Sequence, residues 1–118
     1  MRKMMSFAVF ALLATSLSAQ TVANMKDLNA EKKSAAINLK LTGTLTTTRN
    51  SDFRQLRDLC WQLRTLDLSE ATCPVLPKNA FHSRHHLQSI ILPNQLQEIG
   101  SQAFFACDNL QEVVIPKS

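Results

Sequence analysis

The sequence predicts an α/β fold: a short, right-handed solenoid of stacked repeats with a parallel sheet and an N-terminal helix-strand-helix cap. Two observations carry that prediction. Leu63-Arg-Thr-Leu66-Asp-Leu68 aligns with Leu87-Gln-Ser-Ile90-Ile-Leu92, 24 residues on, and that with Leu110-Gln-Glu-Val113-Val-Ile115 after 23 more. The second halves repeat too, since Leu76, Ala80 and Phe81 return 23 residues later as Ile99, Ala103 and Phe104. A period in the low twenties around L-x-x-L-x-L is the mark of a leucine-rich-repeat solenoid. A unit of this kind cannot bury its apolar face alone, so it stacks on its neighbours and builds an extended surface.

Residues 1–19 read as a secretory signal peptide. Met1-Arg2-Lys3 is basic, Phe7 to Ala14 is a short apolar run, and Thr15 to Ala19 supplies small residues before Gln20. The run is too short to cross a bilayer, so no membrane span is expected after cleavage. The chain is expected to be exported, to the cell surface, the periplasm or the medium. Setting aside Arg2 and Lys3 leaves 11 basic against 9 acidic residues, a net charge of +2. With no basic run left, nucleic acid is not an expected partner.

Residues 20–28 read as a disordered leader and 29–62 as the capping segment. Asn29 to Ala36 suits a short helix with Asn29 as its N-cap. Ile37-Asn-Leu39-Lys-Leu41 alternates as a strand does, and Gly43 reads as the turn that ends it. Thr42 to Asn50 is threonine-rich and suits an extended or looping segment. Ser51-Asp52 starts a helix whose apolar stripe is Phe53, Leu56, Leu59 and Cys60. Residues 63–118 hold two full repeats and the start of a third.

Strands are expected at 37–41, 63–68, 87–92 and 110–115, followed by turns at 69–77 and 93–100. Pro93 and Pro116 fall just past their strands, where a missing backbone donor ends ladder pairing. Ala80-Phe81 and Ala103-Phe104 then open a helical or 3₁₀ segment, Ala admitting close backbone approach and Phe filling the layer. Repetition breaks at Arg84, which stands where Cys60 and Cys107 stand in the neighbouring units.

Three cysteines in an exported chain allow one disulfide and a leftover thiol. The repeat register favours unpaired thiols instead, each packed as a small apolar side chain in its own layer. His82, His85 and His86 lie within five residues and could contribute to a zinc or copper site. The competing reading is a polar turn between units, with no acidic residue beside them in sequence. There is no glycine-rich phosphate loop, no H-E-x-x-H and no G-x-S-x-G. Neither a catalytic residue, nor a metal ligand set, nor a cofactor is assigned.

The outward side of the strands remains. In-register stacking places Asn38, Thr65, Ser89 and Glu112 in one column, and Lys40, Asp67, Ile91 and Val114 in another. Lys40 beside Asp67 is an expected ion pair. Ile91 beside Val114 starts an apolar stripe, read either as ordinary β-rich surface or as the rim of a contact patch. Thr65, Asp67, Ser89, Ile91, Glu112 and Val114 are the candidate partner-contact residues.

The stretch from Leu87 to Pro116, with its leucine strand, Pro93, Ile99-Gly100 and Ala103-Phe104-Phe105-Ala106-Cys107, resembles the BspA-like leucine-rich repeats of bacterial surface proteins. The lead-in from Leu39 to Ser69 is similar to the segment that precedes such arrays. The resemblance implies a non-enzymatic module that contacts a protein ligand, plausibly a host matrix protein, in adhesion. Another reading is a structural N-terminal fragment of a longer array with no binding activity of its own. Ser118 follows the third strand directly, leaving Leu110, Val113 and Ile115 without a covering layer. Either the array continues or the chain dimerises through its open C-terminal edge.

Overall fold

A computed structural model of the protein describes residues 20–46 and 52–116. The expected signal peptide lies outside the described residues, as do parts of the threonine-rich segment. A five-stranded parallel sheet runs through the molecule in the order β1 (Thr21–Asn24), β2 (Asn38–Thr44), β3 (Thr65–Thr72), β5 (Ser89–Ile91), β7 (Glu112–Val114). A second, two-stranded parallel sheet joins β4 (Val75–Leu76) to β6 (Glu98–Ile99). Two short helices, α1 (Ala30–Ala35) and α2 (Asp52–Asp58), flank β2. Within each sheet the strands are neighbours in chain order, because each unit turns once and returns beside the last.

The N-terminal stretch corrects the sequence reading. Residues 20–28 are not a leader without structure: Thr21–Asn24 adds a fifth strand, registered with Leu39 to Thr42, and Met25–Asp27 forms a 3₁₀ turn. Asn24 caps that turn by accepting from the Lys26 N–H, and Met25 and Leu28 enter the core. Four residues are too few to display a period, which is why the strand does not show in sequence. The helix after it is as expected, with Asn29 Oδ1 accepting the Lys32 N–H at 2.8 Å. No residue of α1 is buried; its cap, its backbone bonds and hydrogen bonds from Lys33 to Gln55 and from Gln62 to the Ser34 carbonyl hold it.

The repeat strands begin two residues later than their leucines. Leu63, Leu87 and Leu110 still belong to the preceding turn, each donating to the carbonyl three residues back (Cys60, Arg84, Cys107). The next two N–H groups converge on one carbonyl of the previous layer. Arg64 and Thr65 donate to Ile37, Gln88 and Ser89 to Arg64, and Gln111 and Glu112 to Gln88. Only then does the ladder start. β3 runs on to Thr72, where a turn was expected, because a bulge after Lys40 lets Thr42 to Thr44 pair with Glu70 to Thr72. Gly43 does not end β2 but sits inside it at φ 86°, a left-handed conformation that glycine adopts without steric cost.

Inward side chains are those the repeat demands: Leu39, Leu41, Leu66, Leu68, Leu76, Leu87, Ile90 and Leu92 are buried. Three phenylalanines thread the layers. Phe53 of α2 meets Phe81 edge-on at 5.9 Å, and Phe81 stacks on Phe104 at 5.8 Å. Such pairs add about 0.5–1.5 kcal/mol beyond their buried area. Leu59 departs from its expected stripe: α2 ends at Asp58, and Leu59 is left 43% exposed.

The Ala-Phe segments are not helical. Each is a run of turns in which Ala80, His82 and Arg84 donate to Pro77, Asn79 and Phe81, with Ala103, Phe105 and Cys107 repeating the pattern. Asn79 and Ser83 have φ of 59° and 61°, and Gln102 and Ala106, 23 residues on, have 57° and 61°. Those left-handed residues interrupt any helix. They also free the N–H groups of Asn79, Phe81 and Ser83 to reach Ser101, Ala103 and Phe105 of the next layer, at 2.8–3.1 Å.

Candidate interaction surface

The outward columns form as the register requires. Asn38 lies opposite Thr65, Thr65 opposite Ser89 and Ser89 opposite Glu112. Lys40, Asp67, Ile91 and Val114 make the second file in the same way. Cross-strand neighbours in such columns interact directly, each pair worth about 0.2–1 kcal/mol. The first column is polar along its whole length. Thr65 Oγ1 donates to Asn38 Oδ1 at 2.7 Å, and Ser89 Oγ donates to Glu112 Oε1 at 3.3 Å.

The second column changes character along the solenoid. Its N-terminal end is charged, but Lys40 does not take Asp67 as its ion-pair partner. The bulge after Lys40 brings Glu70 within reach, and Lys40 Nζ lies 2.7 Å from its carboxylate. Asp67 Oδ1 instead accepts the Ser69 N–H at 2.8 Å. The hydrogen bond that Lys40 donates to Glu70 holds its ammonium above its ordinary pKa. Partial burial opposes that rise, and the Asp67 charge adds to it. The C-terminal end is apolar: Ile91 is half-buried, while Val114 is exposed beside it, and Val113 and Ile115 are exposed as well.

The histidines do not converge. His82 stacks on Phe105 at 5.1 Å and His86 faces Trp61 at 6.4 Å. His85 Nδ1 lies 2.9 Å from Asp108, an acidic neighbour that sequence proximity could not reveal because it stands 23 residues away. Each imidazole thus has its own partner. Among the described residues no group of three or more His, Cys, Asp or Glu is placed to hold a metal ion.

All three cysteines are unpaired. Cys60 and Cys73 are fully buried and Cys107 is half-buried. Burial pushes the Cys60 thiol up to about 11 and also raises Cys73 and Cys107. Cys73 and Cys107 spend their S–H groups on the carbonyls of Val75 and Phe81, both at 3.0 Å. None is poised as a nucleophile, which requires the thiolate.

Two features were not anticipated from sequence. Trp61 is 52% exposed beside the histidine turn. A polar cleft of about 290 Å³ opens between the end of α2 and the first Ala-Phe turn, lined by Arg57, Asp58, Asn79 and Arg84 among others. The break in repetition at Arg84 was its one sequence signal. No helix among the described residues is long and apolar enough to cross a membrane.

A family model described as BspA type leucine rich repeat region (6 copies) matches residues 29–118, which is 90 of the 118 residues. Among curated proteins none matches the chain.

Proposed function

Because this chain belongs to the BspA-type leucine-rich-repeat family, a fold of the protein-interaction kind, we propose that it is an exported, non-enzymatic binding module acting in adhesion at the cell surface. Its ligand is a protein, and a host matrix protein is the class the family favours. The observation that carries this reading is the outward face of β3, β5 and β7. It offers a polar column of Thr65, Ser89 and Glu112 beside a column that runs from Asp67 to Ile91 and Val114. A polar file next to an apolar one suits a protein surface, where an apolar centre with a polar rim is the usual anatomy. β7 exposes Val113 and Val114, and Ile115 just past it is exposed as well.

Purified protein spanning 20–118 would be tested by surface plasmon resonance against immobilised fibronectin, laminin and collagen. Saturable binding to one of them is expected. It should fall at least tenfold in the double variant Ile91→Lys/Val114→Lys and persist in Gln95→Lys, which alters an exposed residue outside the columns. Binding that ignores the double variant, or binding to none of the three, overturns the proposal.

A further inference from the structure

We propose that the cleft between α2 and the first Ala-Phe turn is a binding site for a carboxylate, held by Arg84. Three independent observations meet there. The first is the repeat itself. The slot that holds a cysteine in the neighbouring units holds Arg84 in this one, so a compact apolar filler is replaced by a long cationic fork. Packing alone does not call for that exchange, since Cys60 and Cys107 both serve as core or half-core residues.

The second is unspent hydrogen-bonding capacity. Arg84 Nε and Asn79 Oδ1 are both buried and neither has a hydrogen-bond partner in the structure. A buried polar atom left unpaired is costly, more so when charged. Asn79 and Arg84 both line the same cleft, so a small polar ligand could relieve the arginine.

The third is charge. Arg57 is already engaged, its Nε at 3.0 Å from Asp58 and its Nη1 donating to the Asn79 carbonyl at 3.1 Å. Asp58 is thereby held below the usual carboxylate range, by Arg57 first and by Arg54 and Arg84 after it. Two guanidinium groups and one carboxylate line the cleft, leaving it one positive charge in excess. His82 and Ser83 complete the lining.

A carboxylate fits this arrangement. The Arg84 guanidinium lines the cleft, and the Nε–H and Nη–H edge of such a fork binds a carboxylate through two parallel bonds. The 290 Å³ volume admits a group of a few heavy atoms, so either a free small acid or the side chain of an acidic residue on another protein can enter. None of the outward column residues lines the cleft, so the site stands or falls independently of the strand-face reading.

The arginine Nε–H resonance reports on the site directly. ¹⁵N-labelled protein would be titrated with sodium acetate and with a hexaglutamate peptide, with sodium chloride at matched ionic strength as control. A saturable shift of the Arg84 Nε–H signal is expected with carboxylate, in the millimolar range or tighter, and none with chloride. A response to both ligands assigns a small-acid site, and a response to the peptide alone assigns an acidic side chain. Other carboxylate-induced shifts around Asn79 and Ser83 should vanish in Arg84→Cys, which restores the residue of the neighbouring slots, and in Arg84→Lys, which keeps the charge without the fork. No saturable shift in the wild-type protein, or an equal shift with chloride, overturns the assignment.

Discussion

Gly100 packs directly on the backbone of the preceding repeat, and Gly100→Ala tests how rigid that packing is. Its backbone conformation is open to any residue, so alanine there meets no torsional strain and the whole effect comes from contact. A Cβ would lie 2.5 Å from the Lys78 nitrogen, 2.6 Å from the Pro77 carbonyl carbon and 2.8 Å from the Leu76 oxygen. All three are backbone atoms, so no flexible side chain can swing away. Contacts at least 0.6 Å closer than the ordinary 3.4–4 Å range force the two layers apart. The Gly100 N–H to Leu76 bond at 2.6 Å must lengthen, and the β4–β6 pairing goes with it. Overpacking of this sort costs about 1–3 kcal/mol, and a weakened backbone hydrogen bond adds about 1 kcal/mol. Against that, alanine restricts the unfolded chain and returns about 0.4–1 kcal/mol. The balance is a loss of about 1–3.5 kcal/mol, a large part of a small domain's stability of about 5–15 kcal/mol. Urea unfolding followed by far-UV circular dichroism measures it, with the midpoint falling and the slope unchanged. A variant within about 0.5 kcal/mol of wild type would show that the layers slide freely and would refute the reasoning.

Two further outcomes are expected. Gln102→Gly should stabilise the protein by about 0.5–1 kcal/mol, because the residue is exposed at φ 57°. Relieving a left-handed backbone returns about 1–2 kcal/mol, against about 0.4–1 kcal/mol lost to the freer unfolded chain; an unchanged or lower thermal midpoint contradicts it. The Cys60 thiol has a folded pKa of about 11 against 9.0 unfolded, so above pH 9 the unfolded state releases its proton first. Stability should therefore fall between pH 9 and 11, with a slope approaching about 1.4 kcal/mol per pH unit. Cys60→Ala, compared with wild type across that window, should lack this component, and parallel pH profiles would refute the assignment.

The inward face of the repeats was legible in the sequence because burial repeats with the layer: Leu66, Leu68, Ile90 and Leu92 announce themselves by spacing. The outward columns were legible for the same reason, since register fixes which residues are neighbours. Side-chain partners were not. Lys40 turns to Glu70 because a single bulge advances β3 by one residue, and a bulge leaves no compositional trace. His85 meets Asp108 across 23 residues, a contact made by stacking rather than by sequence proximity. The second sheet escaped notice because two-residue strands, β4 and β6, cannot show alternation. The Ala-Phe segments suit a helical or 3₁₀ run in sequence, but left-handed residues break them into turns, and Asn79, Phe81 and Ser83 bond to the next layer instead.

The left-handed residues of those turns recur in phase, yet different amino acids occupy them: Asn79 and Gln102 share one slot, Ser83 and Ala106 the other. The conformation persists through such changes of residue, and in it the N–H groups of Asn79, Phe81 and Ser83 reach the Ser101, Ala103 and Phe105 carbonyls of the adjoining coil. Each coil therefore lies against the next along a file of backbone hydrogen bonds, with the Phe81–Phe104 stack beside it. Side chains on the turns are released from any duty to encode the chain path and can diverge freely between copies. A duplicated 23-residue cassette inserted between His86 and Leu87 would inherit its shape from the coil already in place. Extension and contraction of the array then become cheap evolutionary moves, while the turn surface is left open to variation.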